Sequence, residues 1–447
     1  MILTRSFRKP FWLVKSFFFK HKKLIGYAAL LGACLVLFTK NLLPLILPKF
    51  KPQIRIGQVS QYTFNNLPPA ITQVISRGLT KIDISGLPQP DLALKWEINS
   101  DETVYKIFLK PNNFWSDGTE IKTKDLAFDI PDIEFKAIDD YTLEFKLKEP
   151  YSPFLTVLSR PLFKNQTVGA GQYIIKSVHF SGPYLKSLEL TGSTQNLIYK
   201  FYPSQESAWL GFRLGEIDRL ENLLINPLDK TWQSKVKLTK KINNQQYVAL
   251  IFNLSNPIFG QKNLRQALAY ALENKSASAD SRALSPISPD SWAYNSKVKP
   301  YDFSPVQAQD LYSKFSQDAS ISGQLKITLG TSQSFLDLAE SIAASWEKVL
   351  HIQTEIKIVS SIEPDFQVLL ITQEIPPDPD QHTLWHSTQD TNVTHYSDLK
   401  IDKLLEDGRK ISDLTKRKEI YQDFQRFLVE DLPAIFLEHP TVYTISR

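Results

Sequence analysis

Seven basic residues and no acidic one lie between Arg5 and Lys23, and the apolar run Leu24 to Phe38 follows at once. No other feature constrains the chain as much. An apolar helix satisfies its own backbone in lipid, whereas charged side chains there are costly. Arg5, Arg8, Lys9, Lys15, Lys20, Lys22 and Lys23 therefore mark residues 1–23 as a basic cytoplasmic segment. Everything after about Pro48 is then expected outside the cytoplasmic membrane. The strictly apolar run has 15 residues, short of the roughly 20 that a span needs. Extending it through Leu47, with Lys40 snorkelling, restores the length and gives a single-pass transmembrane anchor at 24–47.

A competing reading is a secretory signal. Leu31-Gly32-Ala33-Cys34 places small residues ahead of the only cysteine in the chain, as at a lipoprotein processing site. Leu35 to Phe38 prolong the apolar run where a processed site meets polar residues, which favours an uncleaved anchor. Either way the rest of the chain is tethered on the outer side. That remainder contains no cysteine, and a chain this long buries a large core without disulfides. Its length suggests two lobes. The net charge of +5 comes largely from the N-terminal arm, so the outer part is close to neutral. With no basic stripe there, nucleic-acid binding has little support.

The outer part reads as α+β, then mixed α/β. Strands are expected at Gln53–Val59, Trp96–Ile98, Val104–Leu109, Glu134–Ala137, Tyr141–Leu147, Gly169–Ser177 and Ser187–Thr191, with Glu134–Ala137 and Tyr141–Leu147 forming a hairpin. Helices are expected at Ala70–Leu79, after an N-cap at Thr123, and at Ser204–Leu214. Strand Tyr247–Asn253 leads to helix Asn263–Glu273 and a Ser/Pro-rich loop from 276 to 305. Strand Leu325–Leu329, helix Phe335–Leu350 and strands Thr354–Val359 and Phe366–Ile371 then form a strand-helix-strand unit. Two helices, Lys400–Lys410 and Leu414–Glu430, precede a final strand Ala434–Ile445.

Three segments stand out, Pro90-Asp91-Leu92-Ala93 through Trp96-Glu97, Phe114-Trp115-Ser116-Asp117-Gly118-Thr119 and Leu264-Arg265-Gln266-Ala267-Leu268-Ala269-Tyr270-Ala271. They resemble family 5 of the extracellular solute-binding proteins of ABC importers, which includes oligopeptide- and dipeptide-binding proteins. Tyr396-Ser397-Asp398 with Ile401-Asp402, and Arg417 to Tyr421, resemble the family's C-terminal helices. Each piece alone is weak, but they occur in the family's order and spacing. The resemblance implies a periplasmic-binding-protein-like fold of two α/β lobes with a central cleft. Lobe I would comprise 52–245, completed by 425–447, and lobe II 246–424. It also implies a reversibly bound peptide or other small solute and permease subunits as partners. The signature residues themselves, Trp96, Trp115 and the Ser-Asp-Gly turn, are expected to pack the lobe rather than touch ligand. Only five residues join Phe128 to the hairpin, fewer than in relatives, which implies a trimmed first lobe and a more open cleft.

Ligand chemistry is expected in Glu374 to Ser387, which follows the apolar strand Phe366–Ile371, because α/β folds place ligands at strand ends facing a cleft. In peptide-binding relatives an aspartate of this region pairs with the ligand's α-amino group. Registering Asp378-Pro379 on the relatives' acidic-Pro pair puts Ile375 at that position, with Glu374 beside it. Glu374 and Asp380 are expected as polar anchors, and Trp385 with Tyr396 as apolar walls able to stack on a ligand. His386 and Asn392 are further candidates. His382, His386 and His395 lie near Asp378 and Asp380, so a metal or metal chelate is an alternative ligand. A tethered sensor or scaffold that kept the binding fold is another. No cofactor is expected. The chain has no Gly-x-Ser-x-Gly elbow, His-Glu-x-x-His pair or phosphate-cradling glycine loop, and Asp378 and Asp380 share one turn rather than facing each other. It therefore reads as a binding protein and not an enzyme.

Overall fold

A computed structural model describes residues 15–38, 40, 51–165, 167–319 and 323–447, and divides into compact units at 1–53 and 54–447. In the first unit, α1 (Lys22–Leu37) has 16 residues, none of them buried. Its length is about 24 Å at 1.5 Å per residue, against a hydrocarbon core of ~30 Å. Among the described residues no helix is long and apolar enough to cross a membrane. Thr39 and Asn41 to Leu47, on which the expected span depends, lie outside the described residues.

The second unit begins with β1 (Gln53–Val59), α2 (Pro69–Ile75) and the short hairpin β2 (Thr80–Ile82) and β3 (Pro88–Pro90). Strands β4 (Ala93–Ile98), β5 (Val104–Leu109), β6 (Ile133–Ala137) and β7 (Thr142–Leu147) follow, then the single turn α3 (Phe154–Val157). Next come β8 (Tyr173–Ser181), β9 (Tyr184–Gly192), β10 (Asn196–Tyr202), α4 (Gln205–Arg213), β11 (Arg219–Leu223) and β12 (Lys237–Ile242). After these the chain runs through β13 (Gln246–Phe252), α5 (Lys262–Tyr270), α6 (Pro305–Asp318), β14 (Lys326–Thr331), α7 (Leu336–Leu350), β15 (Gln353–Ile358) and β16 (Val368–Glu374). It ends with α8 (His382–Trp385), α9 (Leu399–Lys410), α10 (Leu414–Asp431), β17 (Ala434–Glu438) and β18 (Thr441–Ser446).

Among the described residues the strands form a seven-stranded sheet β12-β18-β11-β1-β10-β9-β8, a four-stranded antiparallel sheet β4-β5-β7-β6, a five-stranded sheet β15-β14-β16-β13-β17 and the pair β2-β3. Burial explains the strand sequences. In β7, Leu143, Phe145 and Leu147 alternate inward, the period of a sheet packed on one face. In β13, which lies between β16 and β17, Tyr247 to Phe252 are all buried, so an unbroken apolar run is required. Along α7, Ala339, Ile342, Trp346 and Val349 make one buried stripe at helical spacing. Trp346 also donates its indole N–H to Leu268 O at 3.1 Å. Trp115 is buried in the core behind the four-stranded sheet, and Asp117 closes the Ser-Asp-Gly turn by accepting from the Thr119 N–H at 2.9 Å.

Two expectations are corrected. Thr123 does not cap a helix: it begins a single 3-10 turn, Thr123–Asp125, and its hydroxyl donates to Asp139 O at 2.5 Å. The final strand is two strands in different sheets. β17 pairs with β13 in the five-stranded sheet, whereas β18 lies between β11 and β12 in the seven-stranded one. His439-Pro440 makes the break, since proline cannot donate to a ladder. The C-terminal return to the first sheet thus starts at 441, and α10 packs into the second lobe. Both crossings between the lobes, 243–245 and 439–440, lie together, joined by the Asn243 N–H donating to Pro440 O at 2.9 Å.

Candidate functional site

Beyond β16 the chain bends at Pro377 to Pro379, and the acidic side chains there organise the next step. Asp378 accepts from the Asp380 N–H at 2.9 Å, and Asp380 from the His382 N–H at 3.1 Å, which leads into α8. Asp378 is buried against Arg417 of α10, which donates to both of its oxygens, at 2.5 and 3.0 Å. Arg417 also donates to Gly408 O at 2.8 Å, and its guanidinium lies 5.5 Å from the Trp292 ring and 5.3 Å from that of Tyr421. Burial works against this charge, but Asp378 and Tyr421 outweigh it and hold the guanidinium firmly protonated. Asp380 pairs with Arg409 of α9 at 2.9 Å.

Arg409 stands where the lobes meet. Its guanidinium lies 5.1 Å from the ring of Tyr151, in the segment between β7 and α3. Ser152 donates its N–H to Arg409 O at 2.7 Å and its hydroxyl to Ile411 O at 2.5 Å. Lys410 pairs with Glu149 at 2.9 Å, and Ser412 bonds Glu102. Between β2 and β3, Ser85 O accepts from the Trp292 N–H at 3.1 Å. Gly86, at φ 90°, packs so closely that an added Cβ would stand 2.6 Å from Pro377 O. Glycine is required there both for the positive φ and for the approach.

Beside this seam opens a cavity of ≈720 Å³, a size suited to a small-molecule ligand. On the first-lobe side it is lined by Ile130 to Ile133, Leu147 to Tyr151, Val157 and Arg160. On the second-lobe side are His382, Glu406, Arg409 and Lys410. The short connection after Phe128 thus supplies one rim of the cavity.

The expected site residues divide. Asp380 reaches the cavity through Arg409. His386 is buried, stacked on His382 with ring centroids 4.2 Å apart. Glu374 is exposed at the end of β16 and is not among the lining residues. Trp385 and Tyr396 are 2% and 5% exposed, in the core of the second lobe rather than on an open wall. The Tyr396 hydroxyl donates to Asp431 at 2.8 Å. Asn392 is buried and staples its own loop, donating to Tyr396 O at 2.9 Å and accepting from the Thr394 hydroxyl at 2.6 Å. Among the described residues no three histidine, cysteine or acidic side chains are grouped so as to hold a metal ion, and His395 is exposed. Arg160, Tyr151, Glu406 and Arg409 were not singled out by the sequence. The one hint was Pro150-Tyr151-Ser152-Pro153, a proline-bracketed aromatic between strand and helix.

A cavity walled by two α/β lobes, between which the chain crosses at two adjacent places, is the architecture of a solute-binding protein. Residues 88–187 and 192–393 match the family described as bacterial extracellular solute-binding proteins, family 5, middle region, and the chain belongs to that family. It is similar to the oligopeptide-binding protein AppA of Bacillus subtilis, 26% identical over 384 residues, which is 76% of this chain and 65% of AppA. The chain therefore spans a little under two thirds of that relative. Its fold is similar to that of NikZ from Campylobacter jejuni in complex with Ni(L-His), with TM-score 0.72, 23% identity and coverage of 90% of this chain and 94% of NikZ. It is also similar to Bacillus subtilis AppA in complex with a nonapeptide, with TM-score 0.69, 20% identity and coverage of 88% and 94%.

Two outcomes follow from the site's electrostatics. Asp378→Ala leaves Arg417 buried and unpaired, and urea unfolding should show a loss of about 3–5 kcal/mol. The double variant Asp378→Leu with Arg417→Met, which removes both charges, should lose less than that single one. Burial first, then Arg409 and His386, lower the His382 pKa to about 4. An unfolded histidine titrates near ~6.5, so between the two values the unfolded chain binds the extra proton and stability falls as the pH drops. The ring is only half-buried, so screening limits the loss to ~1–2 kcal/mol. His382→Gln should flatten the melting temperature between pH 6.5 and 4, and an unchanged profile would show that this ring does not titrate as described.

Proposed function

We propose that this chain is the substrate-binding component of an ABC importer, that it binds a peptide reversibly between its two lobes, and that α1 and the residues after it tether it outside the cytoplasmic membrane. The observation that carries the reading is the cavity lined from both lobes in a chain of this family. A ligand touching both walls stabilises the closed arrangement by contacts that the open one lacks, and permease subunits can read that shape. The names of the relatives support peptide over other solutes, since AppA is called oligopeptide-binding. Glu374, Asp380 and His386 remain proposed contributors, Asp380 by fixing Arg409 and His386 by backing His382. Trp385, Asn392 and Tyr396 are proposed to act by shaping the loop behind the cavity.

A metal chelate is the second reading. It is favoured by the stacked His382 and His386, whose Nδ1 and Nε2 respectively are buried without a hydrogen-bond partner, and by the likeness to a Ni(L-His) complex. Thermal unfolding of the full chain with peptides of two to nine residues, and separately with nickel and histidine, separates the two. At a hundredfold excess over Kd the true ligand should add ~2.7 kcal/mol. If neither class shifts unfolding, the transport role has no support. For the tether, the full-length protein should stay in the membrane fraction through alkaline carbonate washing, with residues beyond 52 open to protease on intact spheroplasts. Release by carbonate would rule the tether out.

A further inference from the structure

The chain enters the seven-stranded sheet at Gln53, and strand polarity decides what else stands at that end. β1 runs parallel to β11, and β18 is antiparallel to both β11 and β12, so β1, β11 and β12 all start together. Register puts Ile56, Arg219, Ser446 and Lys237 in one row across four strands, roughly 14 Å wide at ~4.8 Å per strand. α4 finishes at the same end, where Arg55 of β1 donates to Gly215 O at 2.8 Å. Trp232, in the segment leading to β12, packs on Trp209 and Phe212 of α4 with ring centroids 5.5 and 6.3 Å apart.

This end is both apolar and basic. Leu210 and Leu214, four apart at the close of α4, are 53% and 68% exposed, with Ala208 and Phe212 buried on the inner side. Outward positions of a surface helix are ordinarily polar. Arg213, Lys235 and Lys237 are exposed, and among the described residues none of the three makes an ion pair. Lys235 Nζ stands 5.5 Å from the Trp232 ring, which links it to α4. The nearby acids are already engaged. Asp218 pairs with Arg55, Glu216 with Lys200 and Glu221 with Arg219, and Asp229 closes its own turn by accepting from the Thr231 and Trp232 N–H groups. Lysine on an edge strand also deters pairing with another sheet. That accounts for Lys237, but not for Arg213 or the two leucines.

We propose that this end of the sheet rests on an anionic lipid surface, with Leu210 and Leu214 entering the headgroup layer while Arg213, Lys235 and Lys237 meet lipid phosphates. The inference rests on the tether reading above. An anchor ending at Leu47 leaves five residues, 48–52, before Gln53, a reach of at most ~20 Å at ~3.5 Å per residue. The entry end of the sheet is the part of the lobe so confined. Apolar side chains that can enter the interface, beside cations attracted to anionic headgroups, are the two terms of peripheral membrane binding. β12 runs from this end to the crossing at 243–245, so the passage to the second lobe lies at the opposite end of the sheet. Docking here leaves that lobe free to close.

The test places the full chain, carrying Cys34→Ser and Leu214→Cys, in nanodiscs of neutral phosphatidylcholine and in discs that also contain phosphatidylglycerol. A bimane label on the introduced thiol reports exposure through quenching by acrylamide. The same label at Leu399→Cys, on α9 and 87% exposed in the wild type, is the reference. Quenching at 214 should be severalfold weaker in the anionic discs, and quenching at 399 equal in both. Each cation near an anionic leaflet favours the docked state about fivefold, so Arg213→Gln with Lys235→Gln and Lys237→Gln should lower the docked-to-free ratio about a hundredfold and restore quenching. High salt should restore it as well. Equal quenching at 214 in both kinds of disc overturns the inference and leaves the tether standing. A label open in both discs but shielded in native membranes gives the surface to a protein neighbour and also overturns it. A chain that enters neither disc overturns the tether reading and this inference together.

Discussion

The buried pair of Asp378 and Arg417 is the contact on which the arrangement around the cavity depends. Two hydrogen bonds fix the carboxylate, and a third donor, Nε, holds the Gly408 carbonyl in α9. One guanidinium thus ties the loop after β16 to both α9 and α10. Ser387, whose N–H and hydroxyl donate to Asp402 at 2.9 and 2.6 Å, and Asp380 on Arg409 fasten the same loop to α9, and the Arg417 pair adds the tie to α10. Gly408 belongs to the same joint, because a Cβ there would stand 2.8 Å from the Tyr421 ring. Burying such a pair is costly, and the hydrogen bonds to Asp378 and Gly408 offset that cost. The register of α9 against α10 is therefore set by a polar contact inside a largely apolar lobe.

The seam between the lobes is built differently. α9 ends at Lys410, and the carbonyls of a helix's last turn lack intrahelical partners. Ser152, from the other lobe, supplies its N–H and hydroxyl to the carbonyls of Arg409 and Ile411. Water can make the same bonds when the lobes part, so the net gain on closure is small. Lys410 with Glu149 is an exposed pair of the kind worth little in solution. Such a seam suits reversible closure, since the protein's own contacts neither lock it nor oppose it and a ligand's contacts can decide. The crossings at 243–245 and 439–440 are adjacent, which confines the flexing to one edge.

Much of the fold was legible because periodicity reports burial directly. Strands such as β1 and β5, and helices such as α7 and α9, fall where alternation or helical spacing places them. β17 and β18 read as one strand because the pattern of residues 434–445 stays apolar across a change of sheet. Only Pro440 marked the crossing. β12, Lys237–Ile242, carries no usable alternation because it is an edge strand whose residues are nearly all exposed. The site was harder still. Its chemistry lies on charged residues of two segments some 250 positions apart, around Tyr151 and Arg409, and neither segment shows a motif of its own. The acidic turn at Asp378 and Asp380 was visible, but its role is to position cations, and sequence spacing does not show which acids are already paired.

The fate of the aromatic side chains explains the character of the cavity. Trp385 and Tyr396 flank the loop that carries the histidines, and a sequence reader expects such rings to stack on a ligand. Both are needed inside, where Trp385 packs near Phe436 of β17, 6.1 Å between ring centroids, and Tyr396 anchors to the end of α10 through Asp431. The loop has few other apolar groups with which to fasten itself to the five-stranded sheet. With its large rings spent on the core, its face toward the cavity is left with His382, and α9 adds Glu406, Arg409 and Lys410. Tyr151 is the aromatic ring that does line the cavity, and it already lies against the Arg409 guanidinium. Recognition at such a wall relies on charge and hydrogen bonding more than on stacking, so discrimination among ligands should follow their ionised groups more closely than their apolar bulk.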